Sequence, residues 1–476
     1  MDIKLYNTMG RAVETFKPLV AGEVRFYSCG PTVYHYAHIG NLRTYVSNDI
    51  LKRMFMANGY KVRHVMNITD VGHLTSDSDT GDDKMEKGSK RTGKSVWDVA
   101  KFYTDAFMRD IADLNIIPPS ETPRATGYIA EQIAMVKRLE ELGYTYKIDG
   151  DGIYYDTSKF PDYGRLGGQS LAELKAGARV DWVEGKRNVA DFALWKFSPP
   201  EEKRQMEWDS PWGVGFPGWH IECSAMSLKL LGDRMDIHTG GVDHIKVHHT
   251  NEIAQTEPVV GHKWVNCWLH MEHLNDMSGK MSKSNGQFLT LSVLKERGYD
   301  PMAYRYYLLL ASYRTQINFS FELLDAAKAA YENLLRRVSA LLEYDRLPDD
   351  SAVDGELAAY YRKRMLSHLN NDLSTAGAIV VLHEALKDSA PNGKTKLAVV
   401  EYADEMLGLK IIERARDLLA GEEVEVKGEL LRLVEARISA KEAKDWARAD
   451  SLRLQIESMG YVIEDAKDGA RVKRKI

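Results

Sequence analysis

The chain has 476 residues, of which 44% are hydrophobic and 28% charged, a balance that fits a soluble globular protein of several domains and excludes a disordered or fibrous one. It has no long uncharged apolar run, and its start, Met1-Asp2-Ile3-Lys4-Leu5-Tyr6-Asn7, lacks a signal-peptide pattern, so a cytoplasmic location with no membrane partner is expected. The formal net charge of −5 argues neither for nor against RNA, because a local basic surface acts on an acidic chain.

In chain order, Glu23 to Cys29 alternates polar and apolar side chains as a strand does, and Leu42 to Met56 has helical spacing after a glycine-containing turn. Tyr60 to Ile68 reads as a second strand, so residues 1 to about 110 form the first half of a nucleotide-binding α/β domain. An insertion follows, with helical periodicity from Tyr128 to Leu142, hairpin-like segments from Tyr144 to Arg165, and a closing stretch from Trp195 to Trp212. The second half of the fold returns at Trp219 and runs to about Met271, and helices are expected from Pro301 to Leu310. From Ser320 to Ala420 the pattern is helical, Gly421 to Gly428 reads as a linker, and an amphipathic helix from Ala443 to Met459 precedes a short strand at Tyr461-Val462-Ile463. The basic end, Arg471, Lys473, Arg474 and Lys475, reads either as a disordered tail or as a phosphate contact.

Two short motifs carry the chemistry: His38-Ile39-Gly40-Asn41 and Lys280-Met281-Ser282-Lys283-Ser284. Reaction at the α-phosphate of ATP, with pyrophosphate leaving, needs donors and positive charge where negative charge accumulates. His38 and Asn41 are expected at a helix start, among unpaired N–H groups that favour phosphate, with Gly40 letting the backbone approach the nucleotide. Lys280 and Lys283 lie in a run read as a mobile loop, from which two ammonium groups can close on the leaving phosphates. Together, in this order, the motifs resemble the two signatures of the class I aminoacyl-tRNA synthetases.

The chain has 3 cysteines, Cys29, Cys223 and Cys267, too few for a disulfide framework. A helix is expected to begin at His248-His249-Thr250-Asn251-Glu252, which places residues 248 and 252 on one face. Two thiolates, an imidazole and a carboxylate make a tetrahedral zinc set, although no local Cys-x-x-Cys pair accompanies them and spacing equally admits His249 with Glu252.

These segments resemble the cysteinyl-tRNA synthetases over nearly the whole chain. The resemblance implies one zinc held by Cys29, Cys223, His248 and Glu252, with the substrate thiolate as an additional ligand. It implies Thr69 and Trp219 in the cysteine pocket and Asp243 near the amino acid or adenylate. His38, Asn41, Lys280 and Lys283 take the catalytic roles, Gly40 and Lys283 contact ATP, and Mg²⁺ accompanies the nucleotide. A metal suits the discrimination required: a steric pocket separates near-isosteres by only about 10²-fold, whereas a soft thiolate binding an ion has no serine counterpart at neutral pH.

The implied fold class is α/β, with a Rossmann-like parallel-sheet catalytic domain in two halves, residues 1–110 and 216–275, around an inserted connective region, 111–215. A signature-loop and stem-contact region, 276–320, an α-helical bundle, 321–420, and a small C-terminal α+β module, 428–476, follow. The last two are expected to bind tRNA(Cys), the module reading the anticodon through Trp446 and Asp450, four apart on its helix. A monomer acting on L-cysteine, ATP and tRNA(Cys) is expected.

Two further pattern matches are rejected. Gly88 to Ser95 fits G-x-x-x-x-G-K-[ST], but polar and charged residues replace the apolar strand that a phosphate cradle needs before it, and a solvated loop is expected. Gly213 to Gly218 fits G-x-G-x-x-G, but Pro217 blocks a helix interior, so it reads as a turn that positions Trp219 and Cys223.

Departures from the family pattern are Asn41, where histidine is common, and a long stretch from Val71 to Gly81 whose role stays open. Two other functions compete. A related ligase would pass cysteine to an amino sugar, an acceptor that has no use for the helical region and terminal module. A non-catalytic RNA-binding zinc protein would have no need of both signatures.

Overall fold

In the computed structural model, which describes residues 2–72, 83–169, 184–199, 204–276, 289–345, 352–422, 428–466 and 469–474, the chain opens with a hairpin that the residue pattern does not announce. Strand β1 (Lys4–Asn7) pairs antiparallel with β2 (Ala12–Thr15). Next come β3 (Glu23–Ser28), helix α1 (Ile39–Ala57) and β4 (Lys61–Met66), a parallel β-α-β unit. Helix α1 starts three residues earlier than its apolar spacing indicates, because His38 caps it. Its buried Leu42, Val46, Ile50, Leu51 and Met54 recur at three- and four-residue steps, the stripe that turns a helix onto a sheet. Truncating Leu51, which is fully buried, to alanine would cost about 2–5 kcal/mol.

Helices α2 (Lys84–Thr92) and α3 (Val96–Asp113) follow. They correct the expectation of a solvated loop over Gly88 to Ser95: Gly88 and Ser89 are buried inside α2, Gly93 ends it in the left-handed conformation, and the Ser95 hydroxyl caps α3. Most of the Val71 to Gly81 stretch lies outside the described residues.

The insertion contains α4 (Ile129–Glu141) and an antiparallel sheet of β5 (Thr145–Ile148), β6 (Gly152–Tyr155), β7 (Phe192–Phe197) and β8 (Gly215–Pro217), in that order. The Gly213 to Gly218 stretch is thus an edge strand feeding a helix. At Gly218 a Cβ would lie 1.9 Å from the Ala193 carbonyl oxygen, so only glycine lets the chain pass β7 this closely.

The main sheet is completed by α5 (Trp219–Leu231), β9 (Met235–Gly241), α6 (His248–Val260) and β10 (Val265–Met271). Its order is β10-β9-β3-β4, all parallel. From β3 the chain goes to β4 on one side, while β9 and β10 lie on the other, so the order reverses between β3 and β9. Connections diverge at such a point and leave a crevice at the carboxyl ends of the strands. Cys29, Asn67 to Asp70, and Val242 to His244 all follow those ends.

Strand β11 (Leu274–Asp276) pairs parallel with β12 (Ile317–Phe319), and α7 (Leu291–Glu296) and α8 (Pro301–Leu309) lie between them in sequence. The Lys280-Met281-Ser282-Lys283-Ser284 motif lies outside the described residues. Helices α9 (Phe321–Asp345), α10 (Gly355–Leu369), α11 (Thr375–Lys387), α12 (Gly393–Leu407) and α13 (Ile411–Glu422) account for the helical pattern that follows. The end of the chain has α14 (Gly428–Glu442), α15 (Trp446–Ser458), β13 (Tyr461–Ala466) and β14 (Gly469–Arg474).

Two of these last elements correct the reading of the terminus. Helix α14 precedes the expected one, and Arg471, Lys473 and Arg474 belong to a strand paired with β13, so they are not a disordered tail. Leu430, Val434, Ile456, Ile463 and Val472 form the small core that holds the hairpin on the helices. The chain divides into two units, Met1–Lys328 with Arg362–Val381 and Glu405–Leu409, and Ala329–Tyr361 with Leu382–Asp404 and Lys410–Ile476. Among the described residues no helix is long and apolar enough to cross a membrane.

Candidate metal centre and nucleotide site

Cys29 is the first residue beyond β3, Cys223 lies one turn into α5, and His248 and Glu252 lie one turn apart on α6. All four are buried, and one ligand atom from each lies within 4.8 Å of every other. The helical spacing that joins His248 to Glu252 is local, but the two thiols arrive through β3 and α5, so only the assembled sheet makes the cluster.

Glu252 is held from both sides. Its Oε2 is 2.9 Å from His238 Nε2 and its Oε1 is 3.0 Å from His248 Nε2. Apart from this contact with His248, the buried Oε1 has no hydrogen-bond partner among the described residues. A buried carboxylate oxygen with an unused lone pair, beside two thiols and an imidazole, fits a soft divalent cation. The outer shell is equally arranged: His220 Nδ1 lies 3.0 Å from His248 Nδ1, leaving His248 Nε2 for the cluster. A second set, Cys29, His238, His249 and Glu252, meets the same distance criterion. In it His249 Nε2 is 3.3 Å from Cys29 Sγ, while His249 Nδ1 reaches His270 Nε2 at 2.8 Å and His270 Nδ1 reaches Thr8 Oγ1 at 2.7 Å.

Charge in the cluster follows from these contacts. Burial opposes ionisation of Glu252, but His238 and His248 outweigh it and hold the carboxyl down to about 2. Burial likewise opposes a charge on His248, and Glu252 and Cys223 overcome it, raising the ring to about 10. Burial pushes the Cys29 thiol well up, whereas the hydrogen bond from Cys29 lowers Cys223 despite its own burial.

Trp219, Thr69 and Asp243 are the residues expected in the amino-acid pocket. The Trp219 ring lies 4.6 Å from that of His248, between centroids. The Thr69 hydroxyl donates to Glu222 Oε2 at 2.9 Å and accepts from Asn67 Nδ2 at 3.0 Å, which ties the end of β4 to the residue beside Cys223. Asp243 is exposed on the turn after β9.

At the start of α1, the Asn41 N–H donates to His38 Nδ1 at 3.1 Å and Asn41 Oδ1 accepts the His38 N–H at 3.2 Å, a reciprocal cap. The Ile39 N–H donates to the Leu289 carbonyl. The N–H groups of Ile39 and Asn41, expected to be unpaired, therefore already have partners. Gly40 has a local reason as well: a Cβ there would lie 2.9 Å from His38 Nδ1 and crowd the cap. Lys280 and Lys283 lie outside the described residues.

Trp446 and Asp450 belong to the other unit, on α15, and both are exposed, Trp446 by 59%. Core packing, the ordinary use of a helical tryptophan, does not account for it.

The sequence reading named His249 as an alternative to His248 but passed over the histidines at 220, 238, 244 and 270 and over Glu222. Of these, His238 leaves a signal, because it shares the alternation of β9 with the buried Asp236 and pairs in register with Tyr27. His220 and Glu222 share α5, His244 lies in the turn after β9 and His270 in β10, and no local spacing marks them.

Comparison with known proteins agrees with this architecture. The family model for the tRNA synthetases class I (C) catalytic domain matches residues 15–329. Cysteine–tRNA ligase 1 of Burkholderia lata is 50% identical over 473 residues, covering 99% of this chain and 97% of that protein. The cysteine–tRNA ligase of Treponema denticola is 46% identical, with 98% of each chain covered. Among solved structures, the methionyl-tRNA synthetase of Mycobacterium tuberculosis bound by methionyl-adenylate aligns with a TM-score of 0.56 at 15% identity, covering 83% of this chain and 93% of that one. The LeuRS of Agrobacterium radiobacter K84, in a ternary complex with tRNA and LeuAMS, aligns at 0.57 and 13% identity, covering 85% and 86%. These two show the shared fold. A catalytic-domain match across two thirds of the chain, with relatives up to half identical along almost all of it, places this protein in the class I cysteinyl-tRNA synthetase family.

Proposed function

We propose that this protein activates L-cysteine with ATP to cysteinyl-adenylate, releases pyrophosphate and transfers the cysteinyl group to tRNA(Cys). The observation that carries the reading is the convergence of Cys29, Cys223, His248 and Glu252 at the switch point of the sheet, on the edge where His38 begins α1. Of the two overlapping donor sets, the one with both thiols is preferred. In it His238 and His220 stand behind Glu252 and His248 as their hydrogen-bond partners, and its two thiols make the softer donor set. Zn²⁺, when bound, would supply a soft site for the substrate thiolate. Trp219 would wall the pocket and Thr69, fixed by Glu222 and Asn67, would line it. Asp243, exposed beside them, would face the amino group of the amino acid or the adenylate.

His38 would offer Nε2–H to a phosphate oxygen, and the Asn41 amide, whose oxygen is used in the cap, would offer its N–H₂. Gly40 would let the nucleotide approach, and Mg²⁺ would accompany it. Lys280 and Lys283 would neutralise the departing pyrophosphate, so Lys283→Ala is expected to lower kcat more than substrate binding. Residues 321–420 and the module 428–476 would contact the RNA, the latter through Trp446 and Asp450. We place the enzyme in the cytoplasm as a monomer.

Cysteine-dependent ATP–pyrophosphate exchange, followed by transfer of labelled cysteine, tests the reading. Label is expected on tRNA and not on an amino sugar, the acceptor of the related ligase. Exchange supported equally by serine, or active enzyme devoid of zinc, would refute it.

A further inference from the structure

The segment that leads to His38 also builds a surface that the adenylation site does not use. Tyr36 and Phe102 are exposed, by 38% and 39%, although their rings meet edge to face at 5.9 Å. Tyr103 is buried beneath, 5.0 Å from Tyr36. Two cations frame the pair. Lys94 Nζ stands 5.0 Å from the Phe102 ring centre, and no carboxylate pairs with it among the described residues. Arg91 lies over Tyr103 and donates to the Tyr34 carbonyl at 2.8 Å, fixing the backbone just before Tyr36.

This is the segment whose glycine pattern mimicked a phosphate loop. Folded as helix and turn, it presents charge: between Lys84 and Lys94 there are five lysines and arginines and one acid, Glu86, on a chain of net charge −5. Aromatic faces left in water beside cations match unpaired nucleotides, which offer a π-face and a phosphate at each step. A paired stem keeps its base faces stacked inside, and an apolar protein partner has no use for the cations. Transfer from an adenylate requires a 3′ hydroxyl of the RNA to reach the carbonyl near His38, and Tyr36 stands two residues before it.

We propose that Tyr36 and Phe102, with Arg91 and Lys94 at their rim, bind the unpaired 3′ end of the acceptor RNA as it enters the site. This rests on the reading of the preceding subsection. The test compares Phe102→Ala, Phe102→Tyr and Lys94→Ala with the parent enzyme in tRNA charging and in cysteine-dependent exchange without RNA. Phe102→Ala is expected to raise KM for tRNA about tenfold, Phe102→Tyr to restore it, and exchange to stay within about twofold, since single surface changes barely disturb a fold. Lys94→Ala is expected to lower the slope of log KM against log salt by about 0.7. With tRNA lacking its unpaired 3′ terminus as a binding probe, parent and variant should bind alike.

A deficit that persists on the shortened RNA overturns the proposal, as does equal loss of exchange and charging. A change of sedimentation on Phe102→Ala, the mark of a second copy on this face, overturns it too. Parent enzyme that exchanges pyrophosphate with cysteine yet charges no RNA refutes the functional reading instead.

Discussion

The ring of His38 accepts the backbone N–H of Asn41 on Nδ1, 3.1 Å away. A backbone N–H can only donate, so the neutral ring carries its proton on Nε2. The helix cap thereby sets which face of a candidate catalytic histidine offers a hydrogen.

Burial, with a further push from His273, lowers the His38 ring from 6.5 to about 4, against a partial opposing pull from Asp243. Between those values the folded chain holds fewer protons than the unfolded one, so this group's contribution to stability rises with pH through the window and is level above it. Exchange activity is therefore expected to show no His38 ionisation between about pH 6 and 8. Histidine-resolved NMR titration should give a midpoint well below 6.5, and a midpoint at the ordinary value removes the argument for a neutral donor.

His248→Ala is expected to abolish zinc retention, because it removes a donor from the preferred set. His238→Gln, which loosens Glu252, should weaken the metal about 10–100-fold, and His249→Ala by less. Chelator competition ranks the three variants. Were His249→Ala to release the metal while His248→Ala kept it, the ligand role would pass to the other set.

The Arg305 guanidinium and the Asp49 carboxylate form an ion pair with both side chains fully buried, and Arg53 Nε shares the same oxygen, Asp49 Oδ2, at 2.7 Å. Arg305 also donates to the carbonyls of Leu114 and Leu407. Arg305→Met should lower stability by about 2–5 kcal/mol, since it leaves two buried carbonyls without their donor and Asp49 with Arg53 as its remaining cation. Urea unfolding measures this. An exposed-pair value below about 1 kcal/mol would contradict the burial.

Trp446, half in water on α15, packs little. Trp446→Ala should change stability by less than about 0.5 kcal/mol while raising KM for tRNA about tenfold. A stability loss with unaltered charging would return it to a packing role.

The sheet-forming segments were legible because burial writes alternation into β3 and a three-four stripe into α1. The candidate ligands were legible only in part. Residues 248 and 252 declare one helix face, but Cys29 and Cys223 become neighbours through the parallel pairing of β3 with β9 and the packing of α5, which no local spacing encodes. Charge misled at two places. Gly88 to Ser95 looked like a solvated loop, yet Gly88 and Ser89 are buried in a helix while Lys90, Arg91 and Lys94 face out. Arg471, Lys473 and Arg474 read as a tail or as a phosphate contact, yet they belong to a hairpin strand in which Val472 is buried. The hairpin β1–β2 escaped notice because β2 is exposed throughout.

Donors reach the cluster from β3, at the start of the chain, and from α5 and α6, beyond the insertion. During synthesis, then, no ion can be gripped by the full set until the ribosome has released everything through Glu252 and the two half-sheets have joined. Metal capture would thus time-stamp the completion of the catalytic unit, and a chain stalled inside the insertion would carry Cys29 as a bare thiol exposed to oxidants.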